Sequence, residues 1–500
     1  LLTEQVAKSK SVKEQKRMNR RYFLLCGLIF AGSLALLLLG NGRTPTPTTH
    51  AYQSGSNQLY LPALFNQPNA TATNGRRINI PYAADGNVSL PRRTILWFGQ
   101  VDPTQNYADA RIIYDTDAIY IALHIFDRRT WYDTTPTAAT LEQWDAVTLS
   151  LNLNGNSGAA PTTTSFRFVN QLRWYEPAAN YQTAYRGNGS GWSSHNAPFS
   201  TIASWVSEGV PNTNTDDRGW VASYRIPFSS LGLAQRPSEG TVWGLGLWLH
   251  DRDAATASAI PAQTWPESAQ LTTPSTWGQL HFGLPAYTPP SNTAQDSTTI
   301  RHGQNGAAVT DAHVGGGFDC GEAYNPNFFN GWGDANYNND PNKHQFNVQN
   351  QANLGDWPCL SKVYITFPLT TIPAHKVIRS ATLTLYHFGN SNPAEADDSL
   401  IHVLSVGEDW SEASITWNNA PLALENFTIT RVSPLATYPG WPGVARTFDV
   451  SRAVAQAYAN GTPLRLAIYS TDSAMHGGKY FFSSDADLAG RPLLTVQWGE

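Results

Sequence analysis

Charge is scarce in this sequence: Asp, Glu, Lys and Arg together make up 14% of its 500 residues, against about 25% in an average soluble protein. Methionine is nearly absent, with two residues, while aromatics reach 12%. Little charge beside so many rings excludes a solvated, disordered chain. With 39 Gly and 32 Pro, a long helical bundle is excluded as well, and short strands joined by many turns are favoured. Motifs of local chemistry are missing too. There is no G-x-S-x-G, no H-E-x-x-H, no phosphate-binding loop and no dinucleotide fingerprint. The acidic pairs Asp216-Asp217 and Asp397-Asp398 fall in turn-like stretches and read as surface. Beyond residue 51 the chain has 25 basic against 36 acidic groups. A net-acidic body without a basic stripe argues against nucleic acid as a partner.

What basic charge there is gathers at the front. Lys8, Lys10, Lys13, Lys16, Arg17, Arg20 and Arg21 precede an uncharged apolar run, Tyr22 to Gly40. This is the order an export signal needs, because the positive flank stays cytoplasmic. Residues 1–51 therefore read as a basic flank followed by a signal peptide cut near Thr49-His-Ala51 or by an uncleaved membrane anchor, with Met18 a candidate start. Either way the rest is expected outside the cell, secreted or held at its surface. The membrane then enters only through the uncleaved segment.

From Asn41 to about Gly75 the chain is rich in Thr, Pro, Asn, Ser and Gln and lacks sustained periodicity, which makes residues 52–77 a flexible stalk. A second break, Tyr287-Thr-Pro-Pro-Ser-Asn-Thr293, sets a linker at 286–294. Between and beyond these breaks lie bodies at 78–285 and 295–500, each with β-rich runs. In the first they are Ala110–Tyr114, Ala118–Phe126, Ala146–Leu153, Val221–Ile226 and Val242–Leu249. In the second they are Lys362–Phe367, Ala381–Phe388, Ile401–Val406, Leu464–Tyr469 and Leu493–Trp498. One helix is expected, Val450–Asn460, stopped by Gly461 and Pro463. The fold class is all-β: two antiparallel, jelly-roll-like β-sandwiches after an N-terminal signal or anchor helix.

The first body carries an ordered set of short pieces: Asp85-Gly86, Ala110–Asp115, Ala118–Ala122, Asp127, Trp144–Val147, Trp220–Pro227, Trp243–Leu245, Asp251-Arg-Asp253 and Trp277–Leu280. Together they resemble the family 9 carbohydrate-binding modules. The likeness implies a β-sandwich in which two Trp rings grip a sugar. Flat rings suit the apolar face of a pyranose, with polar groups meeting its hydroxyls. The sequence departs from that family at both ring positions, where Leu141 and Leu271 stand. Trp131, Trp144 and Trp265 are the candidates for a rearranged platform, and Trp220, Trp243 and Trp248 read as core. Relatives of this fold also hold haem on Met and His. Met18 and Met475 both lie outside the first body, so a Met-ligated haem is excluded there.

The second body holds Ile378–Tyr386, the string Trp410-Ser-Glu-Ala-Ser-Ile-Thr-Trp-Asn-Asn-Ala-Pro421, Phe448–Ser451 and Phe481–Asp487 before Arg491–Val496. It resembles the DNRLRE-type domain, classed with family 96 carbohydrate-binding modules. An insertion at 315–358 interrupts it, flanked by Cys320 and Cys359. In an oxidising compartment these read as a disulfide, ahead of two buried thiols. Inside the insertion Asp334, Asn336, Asn338 and Asp340 place oxygens at every second position, as calcium loops do. Asn339 and Gln345 replace the Gly and Glu such a loop needs, so a plain turn-rich loop is the alternative. No cofactor is required; calcium is the one these residues suit.

The function expected is binding of extracellular polysaccharide by tandem non-catalytic modules, whose linkage raises apparent affinity. A structural or adhesive surface protein without sugar binding is the alternative. A polysaccharide-active enzyme is the second alternative, because sandwich-fold lyases and glycosidases often lack local signatures.

Overall fold

A computed structural model describes residues 75–206, 209–290, 293–316, 328–338, 344–350, 360–391, 396–472 and 477–500. The export segment, the stalk up to residue 74, Asp340, Cys320 and Cys359 lie outside the described residues. No helix among the described residues is long and apolar enough to cross a membrane. The expected helix is present as Ser451–Ala459, and the remaining regular structure among the described residues is strands with short 3-10 turns.

Three sheets carry the fold. A five-stranded antiparallel sheet is built from Thr94–Asp102, Gln105–Tyr114, Ala118–Phe126, Gly219–Pro227 and Ser200–Val206. A six-stranded sheet joins Asp296–Arg301, Leu493–Gly499, Val377–Asn390, Lys479–Phe482, Gln345–Val348 and Val444–Asp449. The third sheet has 13 strands and is shared. One half contains Val242–Asp251, Ala146–Asn152, Ser165–Gln171 and Gln182–Gly187; the other contains Ser361–Phe367, Leu464–Thr471, Ser399–Val406 and Ala423–Val432.

The halves meet at Arg77–Ile80. This short strand pairs in parallel with Gly278–Phe282 and touches Ala423–Val432 through one ladder position, Arg77 opposite Glu425. Beyond that position the backbone ladder gives way to side chains. Asn79 N–H donates to Asn426 Oδ1 at 2.7 Å, and Asn426 Nδ2 returns a bond to Asn79 O at 2.8 Å. Asn79 Nδ2 also donates to Asn426 O and to Glu425 Oε1. All three side chains are buried, so this mutual bonding satisfies polar groups that would otherwise be costly there.

Each half of the shared sheet closes its own core. Ile112, Ile121, Leu149, Leu247, Trp243 and Phe282 belong to the first, and Ile300, Val363, Leu383, Val403, Leu466 and Val496 to the second. A third core joins them. Ile95, Trp97, Val101, Tyr107 and Phe126, on the back of the five-stranded sheet, pack with Val314, Tyr364, Leu404, Trp417 and Tyr469. Thr94–Asp102 and Gln105–Tyr114 are thus buried on both faces, and the described residues from 75 onward belong to one compact unit across the proposed 286–294 linker.

Double burial explains the charged groups inside. The strand Gln105–Tyr114 alternates Ala108, Ala110 and Ile112 toward the first core with Tyr107, Asp109 and Arg111 toward the third. Asp109 accepts from Tyr107 Oη at 2.6 Å, Tyr469 Oη at 3.0 Å and Asn350 Nδ2 at 2.9 Å. Lys362 lies over Trp417 at 3.7 Å and over Trp97 at 4.5 Å, an aromatic cage for a buried ammonium.

Candidate functional site

The pleat of the shared sheet decides which side chains reach the outer face of the first sandwich. On Val242–Asp251, the residues Leu245, Leu247 and Leu249 point into the core, so Gly246, Trp248 and His250 face out. The same alternation turns out Thr148 and Ser150 on Ala146–Asn152, Arg167 on Ser165–Gln171, and Tyr185 on Gln182–Gly187. Register then aligns Gly246, Ser150, Arg167 and Tyr185 in one cross-strand row, with Trp248 and Thr148 paired in the next.

The turn Leu141–Gln143 drops Glu142 onto this row. Glu142 accepts from Thr148 Oγ1 and from Arg167 Nη2, and sits 3.6 Å from His250 Nε2. Thr148 Oγ1 lies 2.9 Å from the same nitrogen. Burial alone would raise the Glu142 carboxyl, but Arg167 and His250 outweigh it and hold it below the usual range. Burial pushes His250 down to about 4, although Glu142 pulls the other way, so its imidazole is neutral at pH 7. Arg167 also covers the Tyr185 ring at 4.8 Å. Ser150 Oγ and Arg167 Nε, both buried, have no hydrogen-bond partner in the protein.

Aromatic rings gather at one end of the array. Trp277 packs edge-on against Trp248 at 6.0 Å and lies parallel to Trp192 at 6.3 Å. Trp192 is the half-buried member of the three. Gly246 makes room for this packing: a Cβ there would meet the Trp248 ring at 2.4 Å. A carboxylate, a guanidinium, hydroxyls and an imidazole beside indole rings can meet sugar hydroxyls on one side and a sugar's apolar face on the other.

The Trp candidates from the sequence do not form a common platform. Trp265 is 2% exposed in the first core, its ring packed so closely on Gly278 that a Cβ there would sit 2.6 Å away. Trp131 is buried, while Trp144 is half-buried and covered by the Arg252 guanidinium at 4.3 Å. The backbone of Trp131 is tied to Asp145, the residue after Trp144, whose carboxylate accepts from the Trp131 and Arg252 N–H groups.

Asp145 neighbours an acidic cluster that the sequence alone did not single out. One oxygen each of Asp127, Asp251 and Asp253 lies within 4.8 Å of the others. Asp127 is fully buried, and Asp127 Oδ2 and Asp251 Oδ1 have no hydrogen-bond partner in the protein. Burial, reinforced by Asp253, lifts Asp251 to about 8; burial, reinforced by Asp251, holds Asp127 well above the usual range. Buried carboxyls with unused oxygens can hold a hard cation such as calcium. Asp145, beside them, spends its oxygens on backbone N–H groups. Asp217 does likewise with Gly209 and Thr130; it is buried rather than on the surface. The signal was the Asp251-x-Asp253 spacing, but its third member lies 124 residues earlier and only the fold brings it near.

The calcium pattern at 334–340 is used otherwise in its described part. Asn336 Oδ1 accepts the Asn338 N–H and Asn338 Oδ1 accepts the His313 N–H, while Asp334 Oδ1 accepts from Asn418. Each of these three oxygens accepts a hydrogen bond from within the protein. Asn418 of the Trp410–Pro421 string reaches further: its Oδ1 accepts the Val101 N–H at 2.8 Å and its Nδ2 donates to Val101 O at 3.1 Å.

Residues 330–497 match the family model of carbohydrate-binding module family 96, the family resembled by the second body. Solved structures similar to the chain include a family 9 carbohydrate-binding module from Caldicellulosiruptor kristjanssonii in complex with cellotriose. It is 16% identical over 44% of this chain and 100% of that one, with a TM-score of 0.30. The same module in complex with glucose is 17% identical over 43% of this chain and 100% of its own, also at 0.30. No curated protein matches the sequence.

Proposed function

We propose that the protein is exported and non-catalytic, and that it binds extracellular polysaccharide. The carrying observation is the Glu142–Arg167–Thr148–His250 array beside Trp192 on the outer face of the first sandwich. The family 96 match of the second half supports a carbohydrate ligand. Catalysis fits the array poorly. A hydroxyl nucleophile needs a histidine whose two ring nitrogens face the hydroxyl and the acid separately. Both contacts of His250 fall on Nε2, and Thr148 is fully buried. Calcium at Asp127, Asp251 and Asp253 would brace the loops beside Trp131 and Trp144.

The test is a glycan array, followed by titration calorimetry on the best glycan, for the intact chain and for Arg167→Met. Saturable binding weakened at least tenfold by the substitution is expected, since a charged hydrogen-bond donor is lost. Unchanged binding would move the site off this face, and no binding by the folded protein would favour the structural surface reading. In the same preparations calcium should raise the melting temperature of the parent protein and fail to raise that of Asp127→Asn. An equal rise in both would take calcium away from this cluster.

A further inference from the structure

A cleft of about 420 Å³ opens where the first sandwich meets the Trp410–Pro421 segment of the second. That volume falls in the range of roughly 300–1,000 Å³ that holds small ligands, which often sit at domain junctions. Phe98, Ala420, Pro421 and Leu422 give it apolar lining, while Gln100, Gln105, Gln263 and Thr264 give it amides and a hydroxyl. Gln263 Nε2 donates to Gln105 Oε1 at 3.2 Å, and Gln263 Oε1 is buried without a hydrogen-bond partner. At one end Arg76 is shared between Glu267 and Glu408 and also donates to the Leu422 and Ala423 carbonyls.

The lining selects a chemistry. Amide side chains both donate and accept, as sugar hydroxyls do, and an apolar lining suits the C–H face of a pyranose. The one guanidinium is already met by two carboxylates, so the charged end of the cleft is net negative and opposes acidic sugars. We infer that this cleft is a second glycan site, formed jointly by the two halves and taking a short stretch of a neutral polysaccharide. The inference rests on the polysaccharide-binding reading above and adds to it a location and a charge preference. The seam holds the cleft in shape. Asn418, which lines it, grips both polar groups of Val101, and Arg76 ties the strand entrance to Leu422 and Ala423.

Titration calorimetry on the intact chain tests this with cellotetraose, mannotetraose and xylotetraose, and with tetragalacturonate as the acidic probe. Two binding events are expected for at least one neutral sugar. The double variant Gln105→Ala/Gln263→Ala should weaken one event at least tenfold and leave the other, which Arg167→Met weakens. Thr264→Trp, which fills the cleft instead of stripping it, should abolish the same event, and thermal melting checks that each variant is folded. Neutral-sugar binding that both cleft variants leave unchanged would overturn this inference and spare the general reading. So would tetragalacturonate binding that these variants weaken. Absence of binding to every sugar by the parent protein would overturn both.

Discussion

Lys362 shows how far a single residue's chemistry can be set by its surroundings. Burial pushes its ammonium down to about 7 from 10.5, against the pull of Asp109, while Arg111, Tyr107 and Tyr469 share the same interior. The unfolded chain keeps this proton up to about 10.5, so between the two values the unfolded state binds more protons and stability rises with pH. The parent protein should therefore gain melting temperature relative to Lys362→Met between pH 7 and 9.5, as read by calorimetry. A constant difference between the two would show that the lysine does not change its charge on folding. The sequence hid this group. Ser361–Phe367 reads as an ordinary strand, and only the second sandwich's contact with the first makes its lysine an interior residue.

At the level of elements, legibility follows the visible pattern. Ala146–Asn152 and Val242–Asp251 are legible within a residue or two because every second position is a core residue, and Ala118–Phe126 because it is a continuous β-rich run beside a clear turn. Thr94–Asp102 was passed over. With both faces covered, Ile95 and Trp97 serve one core and Leu96 and Phe98 another, so the run lacks the polar-apolar rhythm of a half-exposed strand. The candidate site was less legible for a related reason. Its Glu142, Arg167 and His250 come from separate elements and acquire meaning only through sheet register. The Trp410–Pro421 string is recognisable through the family it resembles, but not as a fastener. Asn418→Ala removes the pair of bonds to Val101 and leaves those backbone groups unpaired, at a cost of about 1–3 kcal/mol. Urea denaturation should show that loss. A change within a few tenths of a kilocalorie would mean that water replaces the amide at the seam.

For the whole molecule, the third core matters more than the division into modules. Two sandwiches on a slack tether would melt independently. Here Trp97, Tyr107, Trp417 and Tyr469 belong to one cluster, and the 13-stranded sheet passes from one half to the other. Scanning calorimetry of the described body should give one cooperative transition; two resolved transitions would mean that the third core contributes little to folding.

The strand Arg77–Ile80 gives this joint a mechanical meaning. It is the first strand of the described body, it lies between the two halves, and its partner Gly278–Phe282 runs parallel to it. Tension arriving along the chain from the N-terminal side would pull that strand lengthwise. Its ladder bonds, the Asn79–Asn426 clasp and the Arg76 contacts would then load together instead of peeling one by one. A chain pulled from that side would resist at this seam.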